Sequence, residues 1–188
     1  YWSRLEENRL DKELTFMWLK SRTLKPSTEG MIMAAQDQSL KTKNYQYAIM
    51  KSIPRTDANC RLCKGSLETI DHIVSACPVL ARTSYIERHN RIVKYVHFEM
   101  CKARDLPTGA SRFDHQLKAL VKSNQYRLYW EYSVPTDLKL SANRPDLLLV
   151  DDKERIAYII DISVPGENNI NKKMAEKRSK YYDLKREI

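Results

Sequence analysis

The sequence predicts an α+β fold, helical in its first half and strand-rich toward its end. Two observations carry that expectation. Apolar residues recur at helical spacing through the first half, whereas Tyr126 to Val134, Leu147 to Val150 and Ile156 to Val164 are runs of aromatic, β-branched and leucine residues. A short polar segment rich in cysteine separates the two regimes. Hydrophobic residues make up 42% of the 188 positions, enough to bury a core in one or two small domains and too many for wholesale disorder.

The elements follow in order. Leu5, Leu10, Leu14, Trp18 and Leu19 predict a helix from about Arg4 to Lys20, which Lys25-Pro26-Ser27 separates from the next. Ser27 or Thr28 is the expected cap of a second helix running through Met31, Met33 and Leu40 toward Met50. Residues 54 to 79 form a polar module bounded by Pro54 and Pro78. Tyr85, Ile92, Val93, Val96 and Met100 predict a helix from about Arg82 to Arg104, ended by Leu106-Pro107-Thr108-Gly109. Residues 110 to 125 show no usable pattern. Leu147-Leu148-Leu149-Val150 and Ala157-Tyr158-Ile159-Ile160 are apolar on both faces, as central strands covered on two sides would be, and Asp151 to Arg155 is the polar turn between them. A last helix is expected from about Asn171 to Lys185. The domains read as 1–53, a helical linker region; 54–104, the cysteine module with its following helix; and 105–188, the strand-rich part.

The net charge is +9, and its excess is clustered. Lys41 to Lys64 holds six basic residues against Asp57, and Lys172 to Arg186 holds seven against Glu176 and Asp183. Clustered positive charge suits a polyanion, through release of its condensed counterions; the plainer reading is a solvated basic surface. No apolar run reaches membrane-spanning length, no leader resembles a signal peptide, and no membrane partner is expected. The sequence begins at Tyr1 and stops within a helical pattern at Ile188, and so reads as a piece of a longer protein.

Cys60-x2-Cys63-x8-His72-x4-Cys77 offers three thiolates and one imidazole. Zinc favours sulfur with nitrogen in a tetrahedron, and a fourth protein ligand closes the site to water, which points to structural zinc. The competing reading is three core cysteines and an ordinary core histidine. Arg55, Arg61, Lys64 and Arg82 around the module suit phosphate contact or structural bracing equally. Cys101 and His89 lie on the following helix, and Cys101 is left outside the metal set. Cysteine usage suits a reducing nuclear or cytosolic setting.

Asp146 opens one apolar strand and Asp161 ends the next, with fourteen residues between them. Two strands joined by a tight turn bring such residues side by side. Paired carboxylates there would hold magnesium, or manganese, with the backbone carbonyl of Ile162 as a further ligand. Asp146 alone reads more often as a turn or strand-end residue; a second carboxylate at the edge of a buried strand incurs a desolvation cost unless it is paired or metal-bound. Lys173, Lys177, Lys180 and Leu184 share one face of the last helix, with Glu176 at its edge. That face delivers a lysine to the carboxylates, or else is a solvated basic face with Glu176 and Lys180 as an exposed pair.

These residues together resemble a known family. Cys60-x2-Cys63, Glu68-Thr69-Ile70-Asp71-His72, Cys77-Pro78 and Arg88-His89-Asn90 resemble the region after reverse transcriptase in non-LTR retrotransposons. Arg144-Pro145-Asp146, Asp161-x2-Val164-Pro165 and Glu176-Lys177-x2-Lys180-Tyr181-x2-Leu184 resemble their restriction-like endonuclease. Leu24 to Gly30 and Ala34-Ala35-Gln36-Asp37-Gln38 match most closely in the Dong-like branch. The resemblance covers nearly the whole chain, loosely only over 105 to 140. It implies a CCHC zinc knuckle ahead of a PD-(D/E)XK core at 105–188, with a mixed central sheet flanked by helices.

It also implies a metal-dependent DNA endonuclease that nicks double-stranded target DNA in the nucleus, the freed 3′ hydroxyl priming reverse transcription of the element RNA. The rest of the polyprotein, reverse transcriptase included, would be its partner, and second-strand cleavage would call for a dimer. Asp146 and Asp161 would hold the catalytic metal. The usual lysine position of the motif is Ser163 here, so the resemblance makes Lys180 the first choice and Lys177 the second, with Glu176 orienting the lysine or helping at the metal. Arg55, Arg61, Lys64, Arg82, Arg88, His89, Arg144 and Lys173 are the expected nucleic-acid contacts. The alternative is a catalytically silent zinc-knuckle module that positions DNA or RNA, and a third reading is a purely structural zinc domain.

Overall fold

The computed structural model describes residues 11–21, 23–166 and 169–188. Its contacts group into two compact units, Tyr1–Val79 and Leu80–Ile188. No described helix is long and apolar enough to cross a membrane.

In the first unit, α1 spans Lys12–Ser21; the expected residues Leu5 and Leu10 lie outside the described residues. Helix α2 spans Pro26–Gln36, with Lys25 as its cap and no side-chain cap bond. Pro26 takes the first helical position, where a missing N–H costs nothing and the ring fixes the needed φ. Ser27 and Thr28 therefore sit inside the first turn, and neither is the cap. The helix also stops short of Met50. Gln38 adopts a left-handed φ of 58°, and Thr42 starts α3 (Lys43–Ala48) by accepting from the Tyr45 N–H at 3.1 Å. The expected second helix is thus two helices, because a competing cap lies within it.

The rest of the first unit is built around a small hairpin. Asn59 bridges Leu67 antiparallel, the Cys60 N–H donates to Ser66 O at 2.7 Å, and Glu68 N–H donates to Ala58 O at 3.0 Å. Lys64 turns the tip with φ 59°. A π-helical turn, His72–Ala76, follows, and the single-turn helix α4, Pro78–Ala81, spans the boundary between the units at Val79 and Leu80.

The second unit is α+β. Helix α5 (Ser84–Ala103) buries Val93, His97 and Cys101 on one stripe at four-residue spacing. Four strands follow: β1 (Leu120–Lys122), β2 (Tyr126–Trp130), β3 (Leu147–Asp151) and β4 (Ile156–Ile160). They form one sheet in the order β1-β2-β3-β4, antiparallel throughout, where the resemblance implied a mixed sheet. Helices α6 (Ile170–Lys180) and α7 (Tyr182–Glu187) complete the unit, so the expected last helix breaks at Tyr181.

Strand β3 is covered on both faces, as its apolar run predicted. Leu147 and Leu149 join Leu128, Val121, Val93 and Cys101 in one core; Leu148 joins Val134, Tyr181 and Leu184 in the other. Strand β4 is instead an edge strand, with Ile156 and Tyr158 exposed. Helix α5 shares its core with the sheet, so it belongs structurally with the strands and not with the cysteine module ahead of it. The unpatterned stretch contains β1, whose three residues alternate exposed, buried, exposed. Asp151 is buried and accepts the Lys153 and Glu154 N–H groups, which fixes the turn into β4.

Candidate metal cluster and carboxylate site

The hairpin tip carries Cys60 and Cys63, and the π-helical turn carries His72 with Cys77 at its end. Their four donor atoms lie within 4.8 Å of one another, with Cys63 Sγ 3.3 Å from His72 Nε2. None of the three cysteines is in a disulfide. Burial works against a thiolate at Cys60, but the Cys63 and Leu62 N–H groups and the His72 side chain outweigh it and bring its pKa down to about 7. At Cys63 the Gly65 N–H favours the thiolate, yet burial and the neighbouring Cys60 raise its pKa. The Thr69 hydroxyl accepts the His72 N–H at 3.0 Å and fixes the start of the turn. The cluster can hold a metal ion, and its donors suit zinc.

Glu68, which sequence reasoning used only as a motif residue, ties this module together. Its carboxylate accepts from the Lys43 N–H, the Arg61 N–H, and Arg61 Nε and Nη2, all at 2.7–2.9 Å. The Arg61 side chain first, and the backbone donors with it, hold Glu68 down at about 2. Arg61 is thus a brace between the hairpin and the start of α3, not an unpaired phosphate contact. Because the folded pKa lies below the ordinary carboxylate value, the contribution is present above about pH 4.5 and is lost as pH falls toward 2. We expect Glu68→Gln to destabilise the first unit by about 2 kcal/mol at neutral pH, discounted because the Arg61 half of the pair is open to solvent. Urea unfolding of both proteins from pH 7 to pH 2 should show the gap closing as the medium becomes acid. A gap that is constant with pH would mean that the charge of Glu68 contributes nothing.

In the second unit, the register that pairs Leu147 with Ile160 sets Asp146 opposite Asp161, one step beyond the last paired residues. Glu131 N–H donates to Asp146 O at 3.0 Å, and Ile162 N–H donates to Asp146 Oδ2 at 2.6 Å, so both neighbouring strands hold this residue. Pro145 beside it is fully buried. The Asp161 side chain is 6% exposed. Its Oδ2 meets Lys177 Nζ, and its Oδ1 accepts from the Tyr181 hydroxyl at 2.7 Å, with Lys180 Nζ 3.6 Å away. Lys177 Nζ also lies 3.4 Å from Ile162 O.

Of the two lysines, Lys177 makes the closer contact with Asp161; Lys180 donates to the Tyr181 hydroxyl at 2.7 Å. Glu176 pairs with Lys173 at 2.6 Å on the exposed side of α6, so the structure brings neither to the aspartates. His89 lies not on an open binding surface but against the site, its Nε2 3.1 Å from Asp146 Oδ2. Arg88 donates to Val164 O and stacks on Tyr85. Arg144 pairs with Glu131, on the surface. Arg55, Lys64 and Arg82 are exposed, and Arg55 lies over the Tyr47 ring.

Tyr181 entered the sequence reading only as a motif residue, and its role at Asp161 was not foreseen. It is buried, and burial together with its bond to Asp161 raises its pKa well above the ordinary phenol value. Its position four residues after Lys177 and three before Leu184 was the available signal. Two depressions of about 600 and 460 Å³ meet at Asp161 and Lys177, and Arg178 and Lys185 line them as well. Asp161 therefore faces depressions that carry basic side chains.

The fold and sites define an α+β protein with a Cys3His cluster suited to a metal in one unit and a carboxylate, lysine and tyrosine cluster at facing strand ends in the other. No protein-family model, curated protein or solved structure matches the chain.

Proposed function

We propose that the chain is the DNA-nicking endonuclease part of a non-LTR retrotransposon polyprotein, with a zinc knuckle ahead of a PD-(D/E)XK-type core. The observation that carries the reading is the placement of Asp146 opposite Asp161 with Lys177 and Tyr181 on the second carboxylate. The oxygen donors of Asp146, Asp161 and the Ile162 carbonyl fit magnesium or manganese, and the Lys177 ammonium already touches two of these three groups, as a cation-seeking set should. Bound there, the ion would activate water and neutralise charge on the phosphate.

The chain's own residues do the rest. Ile162 N–H and His89 orient Asp146, and the Tyr181 hydroxyl orients Asp161. In this reading the Lys177 ammonium would neutralise negative charge growing on the phosphate, and Arg178 and Lys185, which line the depressions, would draw the backbone in. Among the expected contacts, Arg55 and Lys64 in the first unit and Arg82 in the second are exposed and would meet DNA or element RNA, and Arg144 would do so beside its partner Glu131. The reading also brings the nucleus as site of action, the reverse transcriptase part as partner, and a second copy for second-strand cleavage.

Supercoiled plasmid is the test. The chain should convert it to the open circle with Mg²⁺ or Mn²⁺ and not with EDTA. Lys177→Ala should slow nicking about 100-fold, the usual loss for one preorganised charge donor, and Lys180→Ala should cost less. The reverse order would return the role to Lys180. A second reading, a silent module that only positions nucleic acid, is favoured by the Lys177 ammonium lying on the oxygens a metal needs. It requires salt-dependent DNA binding with no cleavage under any divalent ion.

A further inference from the structure

The second unit holds a group of metal-ligating side chains that neither the knuckle nor the carboxylates use. His97 and Cys101 stand one turn apart on the buried stripe of α5, and His115 comes from the loop that follows it. All three are sealed, with 0%, 0% and 2% of their surface exposed. His97 Nδ1 is 2.8 Å from His115 Nε2 and 3.4 Å from Cys101 Sγ, and the three donor atoms lie within 4.8 Å of one another. We propose that His97, Cys101 and His115 form a second, buried site for a zinc-class divalent ion, which ties α5 to the loop leading into the sheet.

The donor chemistry fits. Two imidazoles and a thiolate are zinc's preferred ligands, and ordinary bond lengths in a tetrahedron put nitrogen and sulfur about 3.5 Å apart and two nitrogens about 3.3 Å apart. The His97–Cys101 separation already matches; the imidazoles need to part by about half an ångström. The Cys63–His72 separation in the knuckle, 3.3 Å, shows a comparable degree of closure.

The surroundings fit as well. Thr108 Oγ1 lies 3.1 Å from His115 Nδ1, where it would take the ring's remaining proton and fix the tautomer. Gly109 lets the loop close: a Cβ there would lie 2.7 Å from the His115 backbone nitrogen and 2.8 Å from its Cα, contacts that backbone cannot relieve. A depression of about 230 Å³ is lined by Thr108, Asp114 and His115, and a water would be the ion's fourth ligand. The competing state is metal-free, with the Gly109 N–H donating to His115 Nδ1 at 3.3 Å and His115 Nε2–H donating to His97.

Metal analysis and native mass spectrometry of the full chain, prepared without chelator, separate the two states. Two zinc ions per chain are expected, falling to one in Cys101→Ala and in His115→Ala. A zinc content that is the same in the wild type and in Cys101→Ala overturns the site and leaves the hydrogen-bonded imidazole pair. One zinc that is lost in Cys101→Ala and kept in Cys63→Ala supports it at the knuckle's expense. Should the variants not fold, cobalt substitution of the wild type decides. Two cobalt equivalents, one with the weaker charge-transfer band of a single thiolate, support the site; a single equivalent with the band of three thiolates overturns it.

Discussion

Asp161→Ala is expected to slow DNA nicking by about 1000-fold or more, while DNA binding changes by less than about threefold. The size follows from what the carboxylate touches. Under the proposed reading Asp161 is a ligand of the reactive ion, so its removal forfeits the activated water and the orientation of the cation together; three decades correspond to about 4 kcal/mol of transition-state stabilisation. Binding is carried by exposed lysine and arginine residues elsewhere, so it should survive. Asp161 is also a structural group, since its buried side chain faces Lys177 and Tyr181. Truncating one partner of such a pair costs about 3–5 kcal/mol, and a loss of activity through unfolding must be kept apart from a loss of chemistry. Asp161→Asn keeps the shape and the Tyr181 contact, and should retain the fold by circular dichroism yet nick no better than the alanine variant. Nicking that persists in both Asp146→Ala and Asp161→Ala would sink the site.

What the sequence made legible was whatever depends on spacing along one element. The apolar run of β3 announced a strand covered on both faces, and the register it shares with β4 brought Asp146 and Asp161 together as their separation suggested. The metal cluster was legible for the same reason: each half of it sits within a few residues, on one hairpin tip and one turn. Long-range contacts were not. His89 meets Asp146 across 57 residues, and only packing of α5 on the sheet decides that. Tyr181 stood only as a motif residue, because its hydroxyl's partner, Asp161, lies at a strand end twenty residues away. The contact between His97 and His115 was not legible either, because nothing in one segment points to the other. Strand β4 was misplaced as central because an apolar run does not reveal whether a further strand pairs beyond it.

Cys60→Ser is expected to remove one bound zinc and unfold residues 58 to 77, leaving the second unit intact. The module has almost no apolar core of its own: its buried hydrophobic residues are Ala58, Cys60, Ile70 and Cys77, and two of these are ligands of the proposed ion. Burial on that scale does not offset the conformational entropy of some twenty ordered residues, at about 1–2 kcal/mol each. A structural zinc contributes about 10–16 kcal/mol in comparable small modules, enough to make folding and metal binding one event. The Glu68–Arg61 brace adds a few kcal/mol at most and does not replace it. Helix α5 draws its stability from a different source, since Val93 and Cys101 are buried against Leu128 and Leu147. Hydrogen exchange read by mass spectrometry should therefore show protection lost over the hairpin and the π-helical turn, and kept from Val93 to Cys101 and across β2 to β4. A point substitution serves better than a chelator here, because a chelator would also strip any ion held by His97, Cys101 and His115. Protection of residues 58 to 77 that survives Cys60→Ser, with zinc content unchanged, would mean that side-chain packing alone folds the module.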